Sequence, residues 1–137
     1  MMKTALIAVV SFLTIGGGLF AAPANHEQVT ELTDLRVEEA VFRDASRTKP
    51  IVLKSLKNGA KYFDKEELIA ISKTVDFEKQ IVLVFAWKGS GQDRLQYIVK
   101  ESFPEQIMFS YKPGRTRDLR PHVKVYVLRS NVKWAVD

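Results

Sequence analysis

The residues with most chemical content lie between Lys112 and Lys133. This stretch holds Lys112, Arg115, Arg117, Arg120, Lys124, Arg129 and Lys133 against one acid, Asp118. Arg115, Arg117 and Arg120 fall in a single loop, and guanidinium forks suit carboxylates, sulfates and phosphates bidentately. Two readings stand side by side. Either the loop is a patch for an anion or an acidic polymer, or Asp118 and neighbouring acids pair with the arginines and brace the hairpin. His122 follows the loop, and Lys88 and Arg94 flank the Gly89-Ser90-Gly91 turn. Together with the three arginines, these are the candidate partner-binding residues.

Catalysis has less support. Ser90, His122 and Asp93 or Asp118 make a Ser-His-acid set on paper. A nucleophile elbow needs Gly-x-Ser-x-Gly on a strand-to-helix turn, and here Lys88 and Gln92 occupy the outer positions. No catalytic residue is assigned. Metal sites need clustered His, Cys or carboxylates. The chain has no Cys and only two His, and Glu38-Glu39 and Glu66-Glu67 are adjacent pairs that point to different faces. The Gly-Ser-Gly turn lacks the Gly-Lys-Ser/Thr ending and following helix of a phosphate loop. The expectation is no metal and no cofactor. Trp87 and Trp134 read as core or core rim, with a sugar platform as the alternative for Trp134.

The N-terminus constrains where this chemistry operates. Lys3, the apolar run from Ala5 and the exit Ala21-Ala22-Pro23-Ala24 make the three-part signal-peptide pattern, with cleavage expected after Ala24. The alternative is an uncleaved anchor, because Thr4 to Ala22 is about long enough to span a bilayer. Without Cys there is no disulfide and no lipidated cysteine. The expected mature chain, residues 25–137, suffices for one hydrophobic core. Its charge is uneven: 11 acids and 9 bases over 25–78, then 5 acids and 11 bases over 79–137, within a net charge of +5 for the whole chain. Export disfavours nucleic acid as the partner of the basic half. No stable membrane span is expected after cleavage.

The elements that position these residues follow from periodicity. Residues 25–33 are polar and read as flexible. Leu35 to Arg43 suits a helix face or, by its β-branched content, a strand; it is read as a strand. Ile51-Val52-Leu53 reads as a short strand. Leu56, Ala60 and Phe63 share a helical face. Asp64 stands three residues before Glu67, the start pattern of a second helix through Ile71. After Thr74 the period becomes two. Ile81 to Trp87 is apolar on both faces and so reads as a central, covered strand. Leu95, Tyr97 and Val99 alternate, then Ile107, Phe109 and Tyr111, then Val123, Val125 and Val127. The expectation is one α+β domain: an antiparallel β-meander of about five or six strands, with a short helical segment packed on one face.

Several motifs resemble known groups. Val75-Asp76-Phe77 leading into an apolar strand, the Gly89-Ser90-Gly91 turn, Leu95-Gln96-Tyr97 and Arg120-Pro121-His122-Val123 follow the order seen in the PrcB C-terminal-like domains of exported bacterial proteins. In that group the turn is Gly-Gly-Tyr; here Gln92 and Asp93 intervene before Tyr97. The likeness spans roughly 75–128. The Trp-x-Gly-Ser-Gly-Gln-Asp and Gly-Arg-Thr-Arg-Asp-Leu-Arg-Pro-His stretches also resemble small secreted planctomycete proteins of unknown function. The first resemblance implies a non-enzymatic, protein-associated accessory domain. The functional expectation is therefore an exported domain that binds or stabilises another extracytoplasmic protein. It would use the 88–94 turn and the 114–121 loop, which share one end of the sheet if the strands between them match in length. The alternative is a module for an anionic envelope polysaccharide using the arginine loop.

Overall fold

The computed structural model describes residues 28–137. The signal-peptide reading lies outside the described residues. Chain order is β1 (Val29–Leu32), α1 (Ala40–Asp44), β2 (Ile51–Leu53), α2 (Leu56–Gly59), α3 (Lys65–Thr74), β3 (Gln80–Gly89), β4 (Arg94–Lys100), β5 (Gln106–Lys112), β6 (Arg120–Arg129) and β7 (Lys133–Val136). Among the described residues no helix is long and apolar enough to cross a membrane.

The fold is α+β with mostly antiparallel strands. The strands form two sheets, ordered β1-β6-β3-β2 and β4-β5-β7. Two pairs of successive strands, β2 with β3 and β4 with β5, lie side by side antiparallel. β3 also pairs with β6 over ten residues, from Gln80–Arg129 to Gly89–Arg120, and β5 pairs with β7 in parallel. The chain therefore leaves the first sheet after β3, builds the β4–β5 hairpin, and returns as β6.

β3 explains the layering. Its residues from Val82 to Trp87 are all buried, and alternate side chains enter two different cores. Val82, Val84 and Ala86 join Val41, Leu53, Phe63, Ile71, Val125 and Val127 on the helical side. Leu83, Phe85 and Trp87 join Leu95, Ile107, Phe109, Tyr126 and Leu128 on the other. Helices cover one face of the first sheet, and the second sheet covers the opposite face. An apolar run on both faces requires such a double cover.

α3 starts as expected: Asp64 caps it, its side chain accepting from the Glu67 backbone N–H at 2.9 Å. Ser55 caps α2 in the same way from Asn58, but α2 ends at Gly59, so Leu56, Ala60 and Phe63 do not share one helical face, and of the three only Phe63 is buried. Two further expectations are corrected. Leu35 to Arg43 is not a strand: 35–39 is irregular and α1 follows. Ala40, Val41 and Ala45 are buried on one side of that turn, and the Glu38 N–H donates to the Tyr62 carbonyl at 2.8 Å rather than to a ladder. Burial of one helical face outweighs β-branched propensity there. Within 25–33, Val29–Leu32 forms an ordered strand against β6, from Val29–Leu128 to Leu32–Val125. Val29 is buried in the outer core, a tertiary contact that the polar surroundings hide.

Candidate functional site

The β3–β4 turn and the β5–β6 loop meet at one end of the molecule, because β3 and β6 are in register to their ends at Gly89 and Arg120. Four contacts clamp them together. The Gly91 N–H donates to Asp118 Oδ1 at 3.1 Å, and the Gly114 N–H to Asp93 Oδ1 at 2.7 Å. The Arg115 N–H donates to Gln92 Oε1 at 3.2 Å, and the Ser90 and Thr116 hydroxyls share a hydrogen bond. Gly114 permits the approach. A Cβ there would stand 2.5 Å from both Gln92 Cβ and Ser90 Oγ, and 2.6 Å from the Gln92 carbonyl carbon.

Two carboxylates anchor this clamp. Asp93 is buried, and its Oδ2 accepts from Trp87 Nε1 at 3.1 Å. Its pKa is lowered chiefly by the Gly114 N–H, with the Tyr111 hydroxyl and the Trp87 indole adding to it, against a burial effect that raises it. Asp118 falls from 3.8 to about 2, because the Thr116 hydroxyl, the Gly91 N–H and Arg120 all donate to it. Its Oδ2 lies 2.7 Å from Arg120 Nε.

The expected site residues separate into three groups. Arg120 and His122 brace the fold. Arg120 pairs with Asp118, while His122 stacks on Trp87 with ring centroids 4.8 Å apart and an interplanar angle of 13°. The His122 Nε2 lies 2.7 Å from the Ser90 carbonyl oxygen. A carbonyl only accepts, so that nitrogen carries the hydrogen. Ser90 Oγ meets Thr116 instead of the imidazole, and Asp93 is taken up by Trp87 and Gly114, so the Ser-His-acid set is not assembled as a relay. Lys88 points away from the loops. It lies 3.5 Å from Glu39 and 5.3 Å from the centroid of the Phe42 ring, on the helical side of the sheet.

Arg94, Arg115 and Arg117 form the third group and are exposed. Arg94 and Arg115 line a cleft of about 620 Å³ with Gln92, Asp93, Gln96, Lys112 and Gly114. Arg94 and Lys112 stand directly opposite each other in the β4–β5 ladder. Like charges so placed repel. Among the described residues, none of Arg94, Lys112, Arg115 and Arg117 takes part in an ion pair. Lys112 belongs to this cleft only through its cross-strand register with Arg94, a long-range pairing that local composition does not reveal. Among the described residues no three His, Asp or Glu side chains gather in a metal-binding group. No family model matches the chain, and no curated protein or solved structure compared with it matches either.

Proposed function

We propose that this chain is an exported, non-enzymatic binding module that engages an anionic extracytoplasmic partner at the clamped loop end. The observation that carries this reading is the opposed Arg94–Lys112 pair with Arg115 beside it. A fold gains nothing from two cations facing each other, and the one carboxylate lining the cleft, Asp93, is already engaged by the Gly114 N–H and the Trp87 indole. The arrangement lowers its free energy when an external anion enters the cleft. The loops are held by hydrogen bonds to Asp93 and Asp118, so the guanidinium groups are presented at little cost in ordering. Both readings of the arginine loop then have their residues: Arg120 braces, while Arg115 and Arg117 are available to bind. The resemblance to PrcB C-terminal-like domains supports a partner-binding role without catalysis.

The test is capture of binding partners from envelope extract at rising salt, with wild type and an R115A/R117A variant. Retention that falls with salt and is lost in the variant supports the reading. An unchanged profile for the variant, with a lowered Tm, assigns those arginines to bracing and sinks it.

A further inference from the structure

The cationic cleft is one end of a longer surface. Strand alternation turns Leu95, Tyr97 and Val99 inward and leaves Arg94, Gln96, Ile98 and Lys100 outward on β4. On β5 the outward set is Gln106, Met108, Ser110 and Lys112, and on β7 it is Lys133 and Ala135. Register aligns these into rows across the sheet: Arg94 beside Lys112, Gln96 beside Ser110, Ile98 beside Met108 and Ala135, then Lys100 beside Gln106 and Lys133. The three strands contain no acidic residue at all. The carboxylates next to these strands are Asp93 just before β4, engaged by Trp87 and the Gly114 N–H, Glu101 just past β4, Asp137 just past β7, and Glu105, which is paired with Arg129 at 2.7 Å. Lys100 and Lys133 are exposed, and neither belongs to an ion pair among the described residues.

We infer that the outer face of the β4-β5-β7 sheet binds an acidic polysaccharide laid along the strands. This rests on the proposed anion-binding role of the loop end and names its partner. Cations stand at both ends of the face, and Lys100 lies six residue steps along β4 from Arg94, roughly 20 Å. One small anion does not bridge that distance; a linear polyanion does. Between the ends lie Gln96 and Ser110, and Gln106 stands in the lysine row; their amides and hydroxyl both donate and accept, matching sugar hydroxyls. Beside Lys133 a shallow cavity of about 200 Å³ is lined by Gln106, Met108 and Ala135, while the Trp134 side chain turns inward against the core between the sheets.

Other anionic partners fit less well. Single-stranded nucleic acid uses a row of aromatic platforms, whereas Tyr97, Phe109, Tyr111 and Trp134 all alternate to the inward side, Tyr97 being 40% exposed on the edge strand β4. A protein partner needs an apolar centre, and a lipid surface needs an apolar insertion face. The apolar centre of this face is one row only, Ile98, 59% exposed, with the half-buried Met108 and the small Ala135 beside it.

The test titrates the purified full chain with polygalacturonate, with digalacturonate, with uncharged dextran, with phosphatidylglycerol vesicles and with oligo-dT. Polygalacturonate is expected to bind and dextran is not. K100A/K133A should weaken polygalacturonate roughly fivefold per lysine, the loss expected for a cation at an anionic surface, and leave digalacturonate binding unchanged. R115A/R117A should weaken both. If K100A/K133A binds polygalacturonate like wild type while R115A/R117A does not, the sheet-face inference falls and the loop-end reading stands. If neither variant changes binding, both fall. Equal binding of dextran, or tighter binding of vesicles or oligo-dT than of polygalacturonate, overturns the polysaccharide assignment.

Discussion

Gly114 and Asp118 carry the loop clamp at the level of single residues. Replacing Gly114 with Ala drives a Cβ into Gln92 backbone and Ser90 Oγ, and backbone does not yield as a flexible side chain does. Gly114→Ala should cost about 2 kcal/mol by overpacking, read as a lower urea midpoint with unchanged slope. Asp118 gives a pH signature. Its folded pKa of about 2 lies below the ordinary 3.8, so its contribution is complete above pH 4 and is lost as pH falls toward 2. Wild-type stability should therefore decline over that window, and Asp118→Asn should decline less steeply while being less stable at neutral pH. Thermal melts between pH 2 and 6 check this; parallel curves for the two proteins would show that Asp118 is not the acid-sensitive anchor. The arginines were visible in the sequence as a charge run. Which arginine braces was not, because the Gly91–Asp118 contact spans 27 residues.

At the level of elements, β3 and the β4–β5 hairpin decide where the charges point. Phe109 on β5 is fully buried and sits at the centre of the aromatic contacts between sheets. Its ring centroid is 5.1 Å from Phe85, 5.2 Å from Tyr126 and 6.0 Å from Tyr97. Phe109→Ala should destabilise the protein by roughly 3–5 kcal/mol, the loss typical of a deleted core ring, measured by chemical denaturation. A loss under 1 kcal/mol would mean that the second sheet is not held by this cluster. Hairpin positions were legible from alternation: Leu95, Tyr97 and Val99 inward, Ile107, Phe109 and Tyr111 against them. The same alternation implies the outward rows, but only the β5–β7 pairing brings Lys133 next to Gln106. α1 misled for a related reason. Five residues, Ala40–Asp44, are too few to build a clear helical period, and burial against the first sheet supplies what propensity lacks.

The whole molecule is two cores sharing one sheet. Val84 and Phe85 are neighbours in the chain, yet they belong to different cores on opposite faces. Disturbing β3 therefore disturbs both, and the chain should unfold as one cooperative unit. Trp87 and Trp134 report only the core beneath the second sheet, whereas the helices lie over the other. Tryptophan fluorescence and far-ultraviolet circular dichroism at 222 nm should thus give coincident thermal transitions, a comparison that uses signals from the two sides. Separate midpoints would show that the helical layer melts independently. Charge is also partitioned at this scale. Asp93 and Asp118, two of the five acids after residue 78, are engaged in the loop clamp. The cations of the second sheet are left to define its outer face.

The sequence by itself determined the α+β class, the cap of α3 at Asp64, the covered central strand and the excess of cations after Lys79. Each of these is encoded over a few neighbouring residues, through periodicity, side-chain reach or composition. Tertiary structure alone decided that β3 pairs with β6, that Arg94 faces Lys112, and that Lys88 turns to Glu39. Those outcomes depend on contacts between residues far apart in the chain. Their register is set by which apolar faces must be buried together, a condition that no local pattern records.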